Sequence, residues 1–290
     1  MLKHTVNMNR LDTARQAQIV RLLVEGMSIN STVRTTGVSK VTILKLLADL
    51  GKACSEYQQG TLLGLNTKIA QADEVWSFVH CKEKNIPEGR IGEFGVGDVW
   101  TWTAMDAESK LIFSWHVGMR TAEDAESFVM DIAGRINDRF QLTTDGFGAY
   151  SKAVINAFGL DGIDYAMLVK SYGNDLSWEK RYSPAVCTGS KKEAKIGDPD
   201  MKHVSTSYIE RTNLTLRMGN RRFTRLTNAH SKKLENHEAS IALHLMYYNF
   251  ARPHETLTKA EGGKKTTPAM ASGISTHVWT LTEIVGLLEK

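Results

Sequence analysis

The sequence predicts an α/β protein: a mixed sheet with flanking helices, preceded by a small all-α unit. Three observations predict it. Apolar residues recur at helical spacing from Leu11 to Leu50. From Thr67 the pattern changes to runs rich in β-branched and aromatic residues. Beyond Ala122, helix-like and strand-like stretches alternate. At 290 residues the chain can bury one sizeable core and still carry an accessory unit.

The elements follow in order. Ile19, Leu22 and Leu23 give a first helix its apolar stripe. Ser28 suits the N-cap of a second helix holding Ile29 and Val33. Gly37 and Val38 form a tight turn, and Ser39 caps a third helix. There Ile43, Leu46, Leu47 and Leu50 share one face, while Lys40, Thr42 and Lys45 lie on the other. Helix, glycine turn and helix with small and basic outward residues make a helix-turn-helix pattern. Such a helix would enter the DNA major groove, its first turn near base edges and its lysines near phosphates. Residues 1–60 are therefore expected to be a DNA-binding domain with its linker, Gly51 to Gly64 reading as the end of this module and a linker.

KIAQADEVWSFV reads as a buried strand carrying Asp73. A polar, glycine-rich loop from Glu83 to Asp98 follows, then VWTWTAM and LIFSWHV, a hairpin closed by DAESK. Ala125, Phe128, Val129, Ile132 and Ile136 set the apolar stripe of a helix from Ala122 to Asn137. RFQLTTD is a strand ending at Asp145, GFGAYSKAVINAF a helix, and YAMLVK a fifth strand. Residues 171–201 read as a polar, lysine-rich insertion without periodicity. Ser205 to Met218 and Ala239 to Tyr248 are two further helices. This order matches a ribonuclease-H-like mixed sheet over residues 66–255, with a tail at 256–290. In such a sheet the first and fourth strands lie side by side. Asp73 and Asp145 then meet at their ends, and Glu210 on a later helix closes the site. Separated carboxylates that converge on folding are what two divalent ions require for attack on a phosphodiester.

Apolar content of 42% and charged content of 23% are those of an ordinary soluble globular protein. No uncharged apolar run approaches the ~18 residues of a membrane span. The start, MLKHTVNMNRLDTARQ, has no apolar signal-peptide core, so a cytoplasmic location is expected. Cys54, Cys81 and Cys187 are scattered without a CxxC pair, which gives no support for a zinc ribbon or a disulfide framework. His230, His237 and His244, spaced by seven, read as a polar helix face rather than a metal site. The net charge is +4 over residues 1–60, −6 over 61–170 and +6 over 171–290. An acidic centre between basic ends suits a metal site between surfaces that hold nucleic acid.

The segments ADEVW, TTDGFGAY, YIERTNLTLR, YYNFARPHETL and TTPAM, in this order, resemble the motifs of bacterial DDE transposases. The insertion-sequence-one type is the nearest match, and the similarity runs from about Lys68 to Met270. IERTN and the YN..RPH..L stretch are its most specific parts. The resemblance implies a metal triad of Asp73, Asp145 and Glu210, with Asn213 and Arg217 on the same helix face. It implies two Mg²⁺ ions, with Mn²⁺ as substitute, and no covalent protein intermediate. It further implies double-stranded DNA partners (terminal repeats and target), a homo-oligomer assembled on that DNA, and a bacterial, nucleoid-associated location when bound. The zinc ribbon that often precedes the helix-turn-helix in such proteins is missing here. Arg211 to Lys233 holds seven basic residues and no acidic one, and Arg221, Arg222 and Arg225 are its expected phosphate contacts. Tyr150 and Tyr208 read as packing or phosphate contacts rather than nucleophiles. A metal-dependent nuclease of the same fold and a non-catalytic DNA-binding protein derived from a transposon are the competing functions. Three intact carboxylate motifs disfavour the second of these.

Overall fold

The computed structural model describes residues 11–173, 187–225 and 227–289. Three helices open it: α1 (Thr13–Val24), α2 (Ile29–Thr36) and α3 (Lys40–Thr61). The caps of α2 and α3 are those the sequence predicts. Ser28 Oγ accepts the Ser31 N–H at 3.1 Å and Ser39 Oγ accepts the Thr42 N–H at 3.2 Å. Gly37 ends α2 at φ +70°, a left-handed conformation that glycine adopts without steric cost.

The expected linker from Gly51 to Gly64 is corrected over most of its length. The helix continues for 22 residues, through Gly51 to Thr61. Gly51 is unfavourable for an isolated helix, but a Cβ there would lie 2.4 Å from the Cα of Ala239. Its lack of a side chain lets α3 press against α7 (Leu234–Met246). Gln58 completes the contact by donating to the Ala242 carbonyl at 3.2 Å.

The sheet has six strands in the order β3-β2-β1-β4-β5-β6: β1 (Ile69–Val79), β2 (Gly97–Asp106), β3 (Ile112–Gly118), β4 (Gln141–Asp145), β5 (Asp164–Tyr172) and β6 (Cys187–Ile196). β1, β4 and β5 run parallel, and β2, β3 and β6 are antiparallel to their neighbours. This is the mixed sheet expected, with the first and fourth strands adjacent. Side chains alternate across β1. Ala70 and Ala72 pack with Phe128, Val129 and Tyr150 of α4 (Ala122–Ala133) and α5 (Ala149–Phe158). Val75 packs on the other face with Ile209 and Leu216 of α6 (Ser207–Gly219) and Ile241 of α7.

Part of the supposed insertion belongs to this sheet. Ser171 and Tyr172 finish β5, and residues 187–196 form the edge strand β6, while 174–186 lie outside the described residues. An edge strand with both faces largely solvated needs no apolar alternation, and its lysines guard the free edge against further pairing. The tail packs as well: α8 (Glu255–Ala260), α9 (Pro268–Ala271) and α10 (Leu281–Gly286) bury Leu257, Ala269 and Ile284. The motif residue Asn249 has a structural task. Its side chain accepts from the Ile112 N–H at 3.0 Å and donates to the Ile112 carbonyl at 2.8 Å, fastening a π-helical turn (Tyr247–Ala251) to β3.

His237 and His244 do not form a polar face. Both are buried on α7, and burial pushes their pKa values down to about 3 and about 4. His237 bridges Ser77 and Ser231, and His230 lies ahead of the helix. No helix among the described residues is long and apolar enough to cross a membrane.

Candidate metal centre and nucleic-acid interface

The parallel register of β1 and β4 brings the first two acidic residues together. Gln71 pairs with Thr143 at the last rung of that ladder, so Asp73 and Asp145 stand level two residues further on. Both are half-buried. Asp73 Oδ2 accepts from Asn213 Nδ2 at 2.9 Å, and Asp145 Oδ1 accepts the Phe147 N–H at 3.0 Å. Burial, reinforced by the charges of Glu74, Asp145 and Glu210, pushes the Asp73 carboxyl up to about 7.

The third member of the tightest cluster is Glu74, which sequence reasoning passed over. Carboxylate oxygens of Asp73, Glu74 and Asp145 lie within 4.8 Å of one another. Glu74 is buried and accepts from Arg120 Nε at 2.5 Å and from the Tyr150 hydroxyl at 3.1 Å. Burial and then Asp145 raise its pKa, while Arg120 opposes the shift. Arg120 also reaches Asp145 at 3.4 Å, and its guanidinium lies 4.2 Å from the Phe147 ring centre. A charged residue inside an apolar strand was a usable signal for Glu74. Arg120 gave none, because its partners are 46 and 25 residues away.

Glu210 falls outside that cluster, contrary to the expected closure of all three carboxylates within a few ångströms. It lies in the first turn of α6, where Lys170 Nζ and Thr206 Oγ1 donate to its Oε1. Its charge nonetheless adds to the raised pKa of Asp73. Asn213 and Arg217 follow on the same helix, three and seven residues on. Asn213 is buried and holds Asp73. Arg217 is half-buried, and its Nε has no hydrogen-bond partner among the described residues. Burial and then the nearby Arg225 lower its pKa, and Asp73 pulls the other way. The tyrosines divide: Tyr150 is a buried donor to Glu74, whereas Tyr208 is exposed with Lys110 Nζ 3.3 Å from its ring centre.

The remaining predicted residues form a second region. Lys40 is exposed at the start of α3, and Thr42 is half-buried with its hydroxyl against Ser39. Lys45 is exposed and pairs with Asp49 at 2.8 Å. Beside them Val41 is 76% exposed, an apolar contact of the kind that meets a thymine methyl, and the sequence reading overlooked it. The basic run leaves its helix at Gly219. Arg221 and Arg222 sit in a short 3₁₀ turn (Arg221–Phe223), with Arg225 exposed beyond it.

Residues 3–50 match a family described as the helix-turn-helix domain of resolvase. No curated protein matches the chain. Among solved structures, one similar chain is that of the piggyBac transposase synaptic complex with hairpin DNA. The likeness has a TM-score of 0.40 and 10% identity, and covers 95% of this chain and 70% of that one.

Proposed function

We propose that the chain is a DNA transposase of the DDE type, built on a ribonuclease-H-like core and acting as a homo-oligomer on DNA. The observation that carries this reading is the level placement of Asp73 and Asp145 on adjacent parallel strands, with Asn213 of α6 bonded to Asp73. Glu210 and Arg217 flank that asparagine on one helix.

The donor set suits a hard divalent cation. It offers carboxylate oxygens only, and the Asp73 carboxyl is raised to about 7 mainly by burial, with neighbouring acids adding to the shift. Asp73, Asp145 and Glu210 are the proposed ligands for Mg²⁺, with Mn²⁺ as substitute. When bound, Mg²⁺ would polarise the phosphodiester and lower the pKa of water.

Around it each side chain has a task. Asn213 fixes the orientation of Asp73. Arg217, whose Nε has no hydrogen-bond partner among the described residues, takes a non-bridging phosphate oxygen, and the helix-turn-helix sets the position of the duplex. In the first step a water oxygen bonds to phosphorus and the P–O3′ bond breaks, releasing a 3′-hydroxyl. In the second, that hydroxyl oxygen bonds to a target phosphorus and displaces the target's own 3′-oxygen, which leaves as a hydroxyl.

A nuclease of the same fold would stop after the first step. The test incubates the full chain with Mg²⁺ and duplex DNA bearing the repeats that flank its coding region. Nicked and joined products support the transposase. Nicks without joining favour the nuclease, and neither product, with DNA binding intact, favours the non-catalytic protein.

A further inference from the structure

A groove of about 1240 Å³ runs between the turn after α1, the start of α3 and the segment that follows α6. Arg34 and Lys40 line it from the helix-turn-helix, Lys82 from the loop after β1, and Arg225, Lys232 and Lys233 from beyond α6. None of its lining residues among those described is acidic. Elsewhere on this molecule exposed cations find carboxylates, as Lys45 does with Asp49 and Arg139 with Asp164. Here, among the described residues, Lys233 alone does so, with Glu235 at 3.3 Å, while Arg34, Lys40, Lys82, Arg225 and Lys232 pair with no acid.

Arg222 adds a charge that the fold leaves uncompensated. It lines both this groove and a smaller cavity against α1 and α7. Its Nη1 donates to Ser231 Oγ at 2.8 Å, while the buried Nη2 has no hydrogen-bond partner among the described residues. Burial lowers its pKa to about 10, so it stays charged at neutral pH. Removing a charge from water without a counter-ion is costly, and its field is little screened on the way to the groove.

The cations are spread along the groove and come from both parts of the chain, which fits an extended polyanion better than a single small anion. Lys40 belongs to the first turn of α3 and Val41 beside it is exposed, so the groove continues into the helix that would read bases. We propose that this groove seats one continuous stretch of DNA phosphate backbone, so that the helix-turn-helix and the segment after α6 grip the same duplex. This rests on the DNA-processing reading above and deepens it by naming the surface and the shared occupant.

Binding of a labelled duplex oligonucleotide to the full chain, measured by fluorescence anisotropy over a salt series, tests it. Each phosphate contact contributes about 0.9 to the slope of log affinity against log salt. Arg34→Gln and Lys232→Gln should each flatten the slope by about 0.9, and the double variant by about 1.8. The titration should end at one duplex per chain. Arg222→Gln should weaken binding while leaving the melting temperature of the free protein equal or higher, because it removes an uncompensated buried charge. A merely structural Arg222 would give the reverse, a lower melting temperature with unchanged affinity. If the wild-type chain binds but only one of Arg34→Gln and Lys232→Gln alters the slope, or two duplexes bind per chain, the shared grip is wrong and the DNA reading survives. If the wild-type chain binds no duplex at any salt, the DNA reading itself falls.

Discussion

The carboxylate end of the sheet and the basic groove are mirror images in charge. At the first, Asp73, Glu74 and Asp145 crowd within 4.8 Å, with Arg120 as the cation between two of them. At the second, arginines and lysines from two parts of the chain share a wall with no acid among its described lining residues, Lys233 alone pairing with a neighbouring acid, Glu235. The helix α6 and the turn after it link the two, with Glu210 at one end and Arg222 just past the other. Charges that serve only the fold are paired, as Arg135 is with Asp131. Unpaired charge of one sign, held in place by packing, marks where a ligand of the other sign belongs.

The sharpest way to break this comparison is at Asp145. Asp145→Asn keeps the shape and removes the charge, so DNA cleavage should fall by at least about 10²–10³-fold, the scale of losing one group that stabilises transition-state charge. DNA affinity measured without divalent metal should hold or rise. Cleavage that survives the change would remove the carboxylate end from the chemistry.

Arg120 sharpens the comparison from the other side. Its guanidinium neutralises Glu74 and Asp145, so Arg120→Gln should tighten divalent-cation binding by about tenfold, or 1.4 kcal/mol. Calorimetric titration with Mn²⁺ reads this directly. Weaker binding in the variant would mean that Arg120 organises the site rather than competing for it.

Asp73 gives a smaller effect with a definite pH signature. Its folded pKa of about 7 lies above the ordinary 3.8, so the native state holds a proton that the unfolded chain has lost between those values. Stability contributed by this group is full below the unfolded pKa and declines as pH rises towards 7. Asp73→Asn should therefore raise the melting temperature by a few degrees at pH 8 and change it little at pH 4. An equal shift at both pH values would refute the assignment. Smallest is the Ser39 cap, where Ser39→Ala should cost about 1 kcal/mol, seen as faster amide exchange at the start of α3.

Legibility followed the range of the interactions. The helix-turn-helix was readable because Ser28, Gly37 and Ser39 act within a few residues of themselves. Asp73 and Asp145 were readable because strand ends are local and the order of elements sets which strands are neighbours. Glu210, Asn213 and Arg217 came from helical phase and family resemblance, but phase could not foresee that Lys170 holds the glutamate. The continuation of α3 was hidden because Gly51 argues against a helix until Ala239 is seen against it. β6 was hidden because an exposed edge strand carries no apolar pattern. Arg120 and Glu74 meet only through tertiary structure.

The unbroken α3 makes the protein a ruler. At 22 residues and about 1.5 Å per residue it spans roughly 33 Å, close to one turn of the DNA double helix. One end is the reading helix of the helix-turn-helix, and from its middle onward the helix is clamped onto α7 by Gly51 and Gln58. On the proposed reading, the base pairs that are recognised and the bond that is cut are separated by a distance stored in a rigid rod. Adding a single residue within that rod would turn its reading end by about 100° relative to the catalytic sheet. Because Val20 and Val24 of α1 share the core with Ile284 of α10, and Gly26 lies against the backbone of Met218, that turn would break the packing of the helix-turn-helix on the core, and the chain would lose its register on the repeat.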